Sequence, residues 1–190
     1  MTNNIPNTLT LMRIGLVPVF VLFFYLEGEW TNTAAAIVFL LAAITDWFDG
    51  YLARRLNQTS AFGAFLDPVA DKFMVAVALV LLVDINPTPY ASFYMSLAAI
   101  IIIGREITIS ALREWMAEMG ARNSVAVSIM GKVKTTAQMT ALLLLIYAQP
   151  VAGLPITTIG FILLYIAVVL TLWSMISYLH AAWPKLMQED

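Results

Sequence analysis

Four aspartates, Asp46, Asp49, Asp67 and Asp71, stand in strongly apolar surroundings at spacings that could gather them around a cation. On a helix, Asp46, Asp49, Gly50 and Ala53 fall at i, i+3, i+4 and i+7 and share one face; Gly63, Asp67 and Asp71, at i, i+4 and i+8, share another. The connection between the two segments is short, so the helices must run antiparallel and the carboxylates can converge on one pocket. Left uncompensated, an aspartate in the middle of a membrane helix costs roughly 2.5 to 3.5 kcal/mol, and four would cost on the order of 10 kcal/mol. A bound divalent cation supplies the compensation. Hard oxygen donors favour Mg²⁺ or Mn²⁺, and four carboxylates suffice for two such ions about 3.5 to 4 Å apart.

The residues between the aspartates extend this reading. Gly50, Ala53 and Gly63 leave room for a phosphorylated ligand to approach the backbone closely, and Arg54 stands one turn beyond Asp49 and Gly50, where it can meet a phosphate. Metal, phosphate and small residues together point to phosphoryl transfer, in which fixed positive charge neutralises the charge that develops on the transferring group. The bland alternative is that the aspartates pair with Arg54, Arg55 and Lys72 at an interface. Arg55 and Lys72 individually read as snorkelling charges.

The elements that must position these groups follow from composition. The chain has 190 residues, 61% hydrophobic and only 12% charged, with a mean hydropathy of +0.85, which excludes an ordinary soluble domain. Runs of about 20 apolar residues fall at Leu9 to Leu26, Thr33 to Ala53, Phe65 to Val83, Tyr90 to Leu112, Lys134 to Tyr147 with an extension at its start, and Ile156 to Leu179. The expected fold is all-α: a polytopic membrane protein of six transmembrane helices forming a single domain, residues 1–190. Ahead of the first span, Ile5 to Arg13 mixes polar and apolar residues, with Pro6 suited to a helix start and Asn7 or Thr8 to a cap; a short amino-terminal interfacial helix is expected there. The first run lacks a basic leader and ends in Glu27-Gly28-Glu29, so it reads as a retained span and not a cleaved signal. With no cysteine, any metal site must use oxygen or histidine ligands, and the lone His180 at the end of the last span reads as interfacial.

All ten basic residues fall on one side of this topology, while the loops near 27–32, 84–89 and 148–155 carry Glu27, Glu29 and Asp84 with no lysine or arginine. The positive-inside rule then puts both termini and the aspartates on the cytoplasmic side of an inner membrane. No nucleic-acid partner is expected.

The pattern D-x2-D-G-x2-A-R-x8-G-x3-D-x3-D, running from Asp46 to Asp71, resembles the signature of the CDP-alcohol phosphatidyltransferase family at every fixed position. The resemblance extends to Ile5-Pro6-Asn7-x2-Thr10-x2-Arg13, to Arg105-Glu106-Ile107 through Leu112-Arg113-Glu114, and to Gly131-Lys132-Val133-Lys134-Thr135-x2-Gln138; these look like the branch whose acceptor is glycerol 3-phosphate. It implies a six-span, usually dimeric enzyme with a cytoplasmic metal site open sideways to lipid. Asp46, Asp49 and Asp67 would hold the cations, two per site, with Asp71 completing the second site and acting as base. Asn7, Thr10, Asp49, Gly50, Ala53, Arg54 and Gly63 would bind CDP-diacylglycerol.

Chemistry argued from the residues agrees. A glycerol hydroxyl is a poor nucleophile at neutral pH and needs a carboxylate to take its proton; Asp71, last on its face and next to Lys72, is the expected base. The acceptor carries its own phosphate, for which Arg105, Arg113 and Lys134 are the expected receptors, with Thr135 and Gln138 nearby. The signature reads only the CDP-lipid half, so inositol phosphate, serine or phosphatidylglycerol stay open as acceptors. A divalent-cation transporter or channel is the reading from another class, but spans 1, 5 and 6 offer no ladder of carboxylates to the far side.

Overall fold

The computed structural model describes residues 5–56, 61–119 and 129–187. They form α1 (Ile5–Tyr25), α2 (Thr31–Leu56), α3 (Ala61–Asp84), α4 (Ser92–Glu118), α5 (Ile129–Tyr147) and α6 (Ile156–Leu186), with no strand among the described residues beyond an isolated bridge between Val151 and Leu154. Among the described residues three helices are long and apolar enough to cross a membrane, over Thr8–Tyr25, Ser92–Glu118 and Ile156–Trp183, and Thr31–Asp46 and Val133–Tyr147 are shorter apolar stretches. Large apolar side chains face outward along these helices, Phe93, Ile100, Val169, Trp173 and Ile176 among them. That surface would be an aggregation liability in water and suits lipid.

Successive helices run in alternating directions, and polar ties at the two ends show it. At one end Arg13 of α1 meets Asp46 of α2, Lys134 of α5 meets Glu106 of α4, and Arg105 and Arg113 of α4 meet Ser174 and Tyr178 of α6. At the other, Tyr25 donates to Asp84 at 2.7 Å, and Tyr90 stacks on Phe161 with ring centroids 4.4 Å apart. Between the ends lies an apolar core that includes Phe20, Phe39, Leu79, Leu82, Ile102, Leu142 and Leu164. Helix α3 is central, touching α1, α2, α4 and α5. Helices α5 and α6 form the most extensive pair, and Gly160 is why they approach so closely: a methyl group there would lie 3.0 Å from Leu145 Cγ and 3.1 Å from Leu144 Cβ.

The amino-terminal stretch departs from the separate interfacial helix that was expected. Residues Ile5–Tyr25 form one uninterrupted helix that runs through Pro18, so Asn7 and Thr8 lie inside it instead of capping it. Thr10 and Arg13 are buried in the bundle; the ion pair of Arg13 draws this turn inward, where a surface anchor would have faced water. Helix α4 continues beyond the apolar run that ends at Leu112, as far as Glu118.

Candidate active site

Asp46 sits near the carboxyl end of α2, and its Oδ1 accepts a hydrogen bond at 2.7 Å from Nη1 of Arg13, on the facing turn of α1. The guanidinium is 2% exposed and the carboxylate 47%. A long cation buried against the α1–α2 interface thus holds a carboxylate that stays open to a cavity of about 320 Å³. Val75 of α3 and Thr135, Thr136 and Thr140 of α5 complete much of its wall. The cavity is therefore shared by four helices, with one fixed positive charge, one fixed negative charge and a row of hydroxyls.

Asp49, Gly50, Ala53 and Arg54 continue α2 beyond Asp46, and Gly63, Asp67 and Asp71 lie on the first half of α3; their side chains, and that of Asn7 on α1, lie outside the described residues. Asp46 is thus the described member of the expected ligand set, and no cluster of three potential metal ligands occurs among the described residues. The donor chemistry fits a hard divalent cation. Asp46 presents a half-exposed carboxylate to an open cavity, and the other three aspartates are carried by the same two helices.

The basic residues expected to hold an acceptor phosphate form a second constellation. Arg105 is 8% exposed; its Nη1 donates to Glu106 Oε1 at 3.0 Å and its Nη2 to Ser174 Oγ at 2.9 Å. Lys134, 3% exposed, donates to the same Glu106 oxygen at 2.5 Å. Arg113 donates from Nη2 to the Tyr178 hydroxyl at 2.8 Å, and the Tyr178 ring lies beneath both guanidinium carbons, 5.0 Å from that of Arg113 and 5.8 Å from that of Arg105. The eight-residue spacing does place the two arginines on one face of α4, and that face packs on α6. The buried Nε atoms of Arg105 and Arg113 have no partner among the described residues, nor does the buried Oε1 of Gln138. Unmet donors in a buried basic cluster are the complement of an oxyanion.

Thr135 is apart from this cluster: its hydroxyl donates to the Gly131 carbonyl at 2.9 Å, and it lines the Asp46 cavity. Lys72, read from sequence as a snorkelling charge, instead bonds the hydroxyl of Ser110 on α4, and that hydroxyl donates to the Glu106 main-chain carbonyl at 2.6 Å. Lys72 and Glu106 line one apolar groove between α3 and α4, about 280 Å³ in volume, and Val75 lines both this groove and the Asp46 cavity.

Sequence reasoning missed Arg13 as the partner of Asp46, Glu106 as the hub of two cations, and Ser174 and Tyr178 as the α6 side of the basic cluster. A signal existed for two of them. Arg13 is a single charge inside otherwise apolar helix, and Glu106 adjoins Arg105 within the apolar run of α4, where ionisable residues need partners.

Comparison with known proteins bears on the same residues. The family profile described as CDP-alcohol phosphatidyltransferase matches residues 3–173. The CDP-diacylglycerol--glycerol-3-phosphate 3-phosphatidyltransferase of Escherichia coli is 55% identical over 186 residues, covering 98% of both chains. The protein of that name from Shigella flexneri is equally similar, 55% over 98% of both chains. That from Yersinia pestis is 57% identical over 97% of this chain and 98% of its own. The family match spans the aspartate signature, Arg13, Arg105, Arg113 and Lys134, and the chain belongs to the CDP-alcohol phosphatidyltransferase family.

Proposed function

We propose that this protein transfers the phosphatidyl group of CDP-diacylglycerol to glycerol 3-phosphate, releasing CMP and forming phosphatidylglycerophosphate. The reaction class follows from the family, and the acceptor from relatives that carry that activity in their names at 55% identity over nearly the whole chain. The structural observation that carries the acceptor assignment is the convergence of Arg105, Arg113 and Lys134, from two helices, on one buried basic cluster at the end of the bundle that also bears Asp46. Serine would bring this concentration of cations a single carboxylate, whereas glycerol 3-phosphate brings a phosphate that can meet several donors at once.

In this reading the phosphate of the acceptor is held by Arg105, Arg113 and Lys134, with Gln138 close by, and its free hydroxyl points toward the nucleotide-linked lipid. Asp71 takes the hydroxyl proton. The resulting oxygen bonds to the phosphorus that carries diacylglycerol, and the bond from that phosphorus to the bridging diphosphate oxygen breaks, so that the electron pair leaves with CMP. Asn7, Thr10, Gly50, Ala53, Arg54 and Gly63 hold the CDP-lipid. Asp46, Asp49, Asp67 and Asp71 would hold two Mg²⁺ or Mn²⁺ ions, which when bound supply positive charge against the diphosphate. Arg13 keeps the Asp46 carboxylate aimed into the cavity.

The same reading makes the chain one catalytic unit, residues 1–190, with six spans in the inner membrane, the basic end in the cytoplasm, and a homodimer as its working form. Support comes from the one-sided distribution of lysine and arginine and from the family resemblance. The deciding experiment supplies purified protein with CDP-diacylglycerol, Mg²⁺ and one alcohol at a time, and measures CMP. Glycerol 3-phosphate should give the highest kcat/KM; preference for inositol phosphate, serine or phosphatidylglycerol would reassign the acceptor, and no CMP with any alcohol would remove the enzymatic reading.

A further inference from the structure

The oxygen that bridges Arg105 and Lys134 belongs to Glu106. Both cations bond the same atom, Oε1, from positions on α4 and α5. One oxygen between a guanidinium and an ammonium is the arrangement that an acceptor phosphate would itself create. Glu106 is 26% exposed, whereas the cations it serves are almost fully buried, so the carboxylate is the member of the trio with freedom to move. It also has a destination. The groove between α3 and α4 contains Glu106 together with Lys72, a further cation.

We propose that Glu106 is a built-in counter-anion for the acceptor site. It keeps Arg105 and Lys134 side by side in the resting protein, yields them to the incoming phosphate by turning toward Lys72, and returns to displace the phosphate of the product. The idea rests on the acceptor reading given above. Its physical content is a competition: an internal carboxylate subtracts from the affinity for any external anion, weakening substrate binding and hastening product departure. Phosphatidylglycerophosphate still carries the phosphate by which the acceptor was held, so without a competitor the product would leave slowly. Glu106 is thus a positioning residue that exchanges ground-state affinity for turnover.

Glu106→Gln tests this, because the amide keeps the shape and one hydrogen-bond acceptor but loses the charge. With inorganic phosphate as probe, its inhibition constant against glycerol 3-phosphate and the KM for glycerol 3-phosphate should both fall, each by about tenfold, while kcat also falls and the KM for CDP-diacylglycerol stays put. A prop that only shapes the pocket would give the opposite sign, with both constants rising; that result, or no change in either, overturns the proposal. Glu106→Asp, one methylene shorter and still charged, serves as the second variant and should move the constants in the same direction by less. If neither variant folds, Glu106 is a keystone of the fold and not a displaceable anion, and the proposal fails. Two controls separate this from the acceptor reading. If inorganic phosphate neither inhibits the unsubstituted enzyme nor raises its melting temperature, the acceptor reading itself is wrong. If phosphate binds and Arg105→Ala weakens it, but Glu106→Gln does not tighten it, only the counter-anion idea is lost.

Discussion

Arg113 and Tyr178 meet twice: the guanidinium donates to the phenolic oxygen at 2.8 Å, and its carbon lies 5.0 Å from the centre of the ring. Tyr178 is 7% exposed and belongs to a small apolar cluster with Ile109, Met116 and Ala182 that fastens α4 to α6. The ring thus sets the height of two arginines while the hydroxyl fixes the direction of one. Tyr178→Phe separates these roles. The KM for glycerol 3-phosphate should rise about three- to tenfold, corresponding to the loss of one hydrogen bond to a charged group, with kcat and the KM for CDP-diacylglycerol within about twofold of the original. Steady-state CMP release at varied acceptor concentration checks this; an unchanged acceptor KM would make Tyr178 a packing residue alone.

Arg13→Gln should affect the protein most when no divalent cation is present. The substitution removes the positive charge opposite Asp46 and leaves a group of carboxylates to repel one another. The melting temperature in EDTA should drop by several degrees, and Mg²⁺ should restore more of it than in the unsubstituted protein, with half-saturation at a lower Mg²⁺ concentration. Equal melting curves for the two proteins across a Mg²⁺ titration would show that Arg13 does not act on Asp46.

Asp71→Asn is expected to cut turnover by about 10² to 10⁴, the usual contribution of a positioned base. Equilibrium binding of CDP-diacylglycerol should survive, since Asn7, Thr10 and Arg54 are untouched. Turnover at the normal rate in this variant would assign the base elsewhere.

Gly160→Val probes the fold instead of the chemistry. The glycine already leaves only 3.0 Å between an added methyl and Leu145 and 3.3 Å to the Ala141 carbonyl. Overpacking of this kind costs typically about 1 to 3 kcal/mol, so the detergent-solubilised protein should melt several degrees lower while KM values for the folded fraction stay the same. An unaltered melting temperature would mean that α5 and α6 part without cost.

Much of the architecture could be read from the chain before any coordinates. Six apolar runs became six helices with ends displaced by a few residues, because run length is set by a local property, the hydropathy of consecutive side chains. The choice of Arg105, Arg113 and Lys134 also rested on a local property, charge at the end of an apolar run, and the structure gathers those three at one place. Partners were another matter. Arg113 and Tyr178 are 65 residues apart and Arg13 and Asp46 are 33; which turn of one helix faces which turn of another depends on the packing of the whole bundle. Lys72 shows how this misleads. A long charged side chain within an apolar run suggested a head group reaching for water, but α4 runs alongside and offers Ser110. The amino terminus illustrates the converse: Pro6 and the mixed polarity of residues 5–13 suggested a separate surface helix, whereas that stretch forms the first turns of α1, with Arg13 buried and paired to the half-exposed Asp46.

Val75 forms part of the wall of the Asp46 cavity on one flank of α3 and of the Lys72–Glu106 groove on the other. The central helix is for that reason a partition as well as a strut, with one side chain common to both walls. A change in the bulk of this one β-branched residue would therefore reshape both chambers at once.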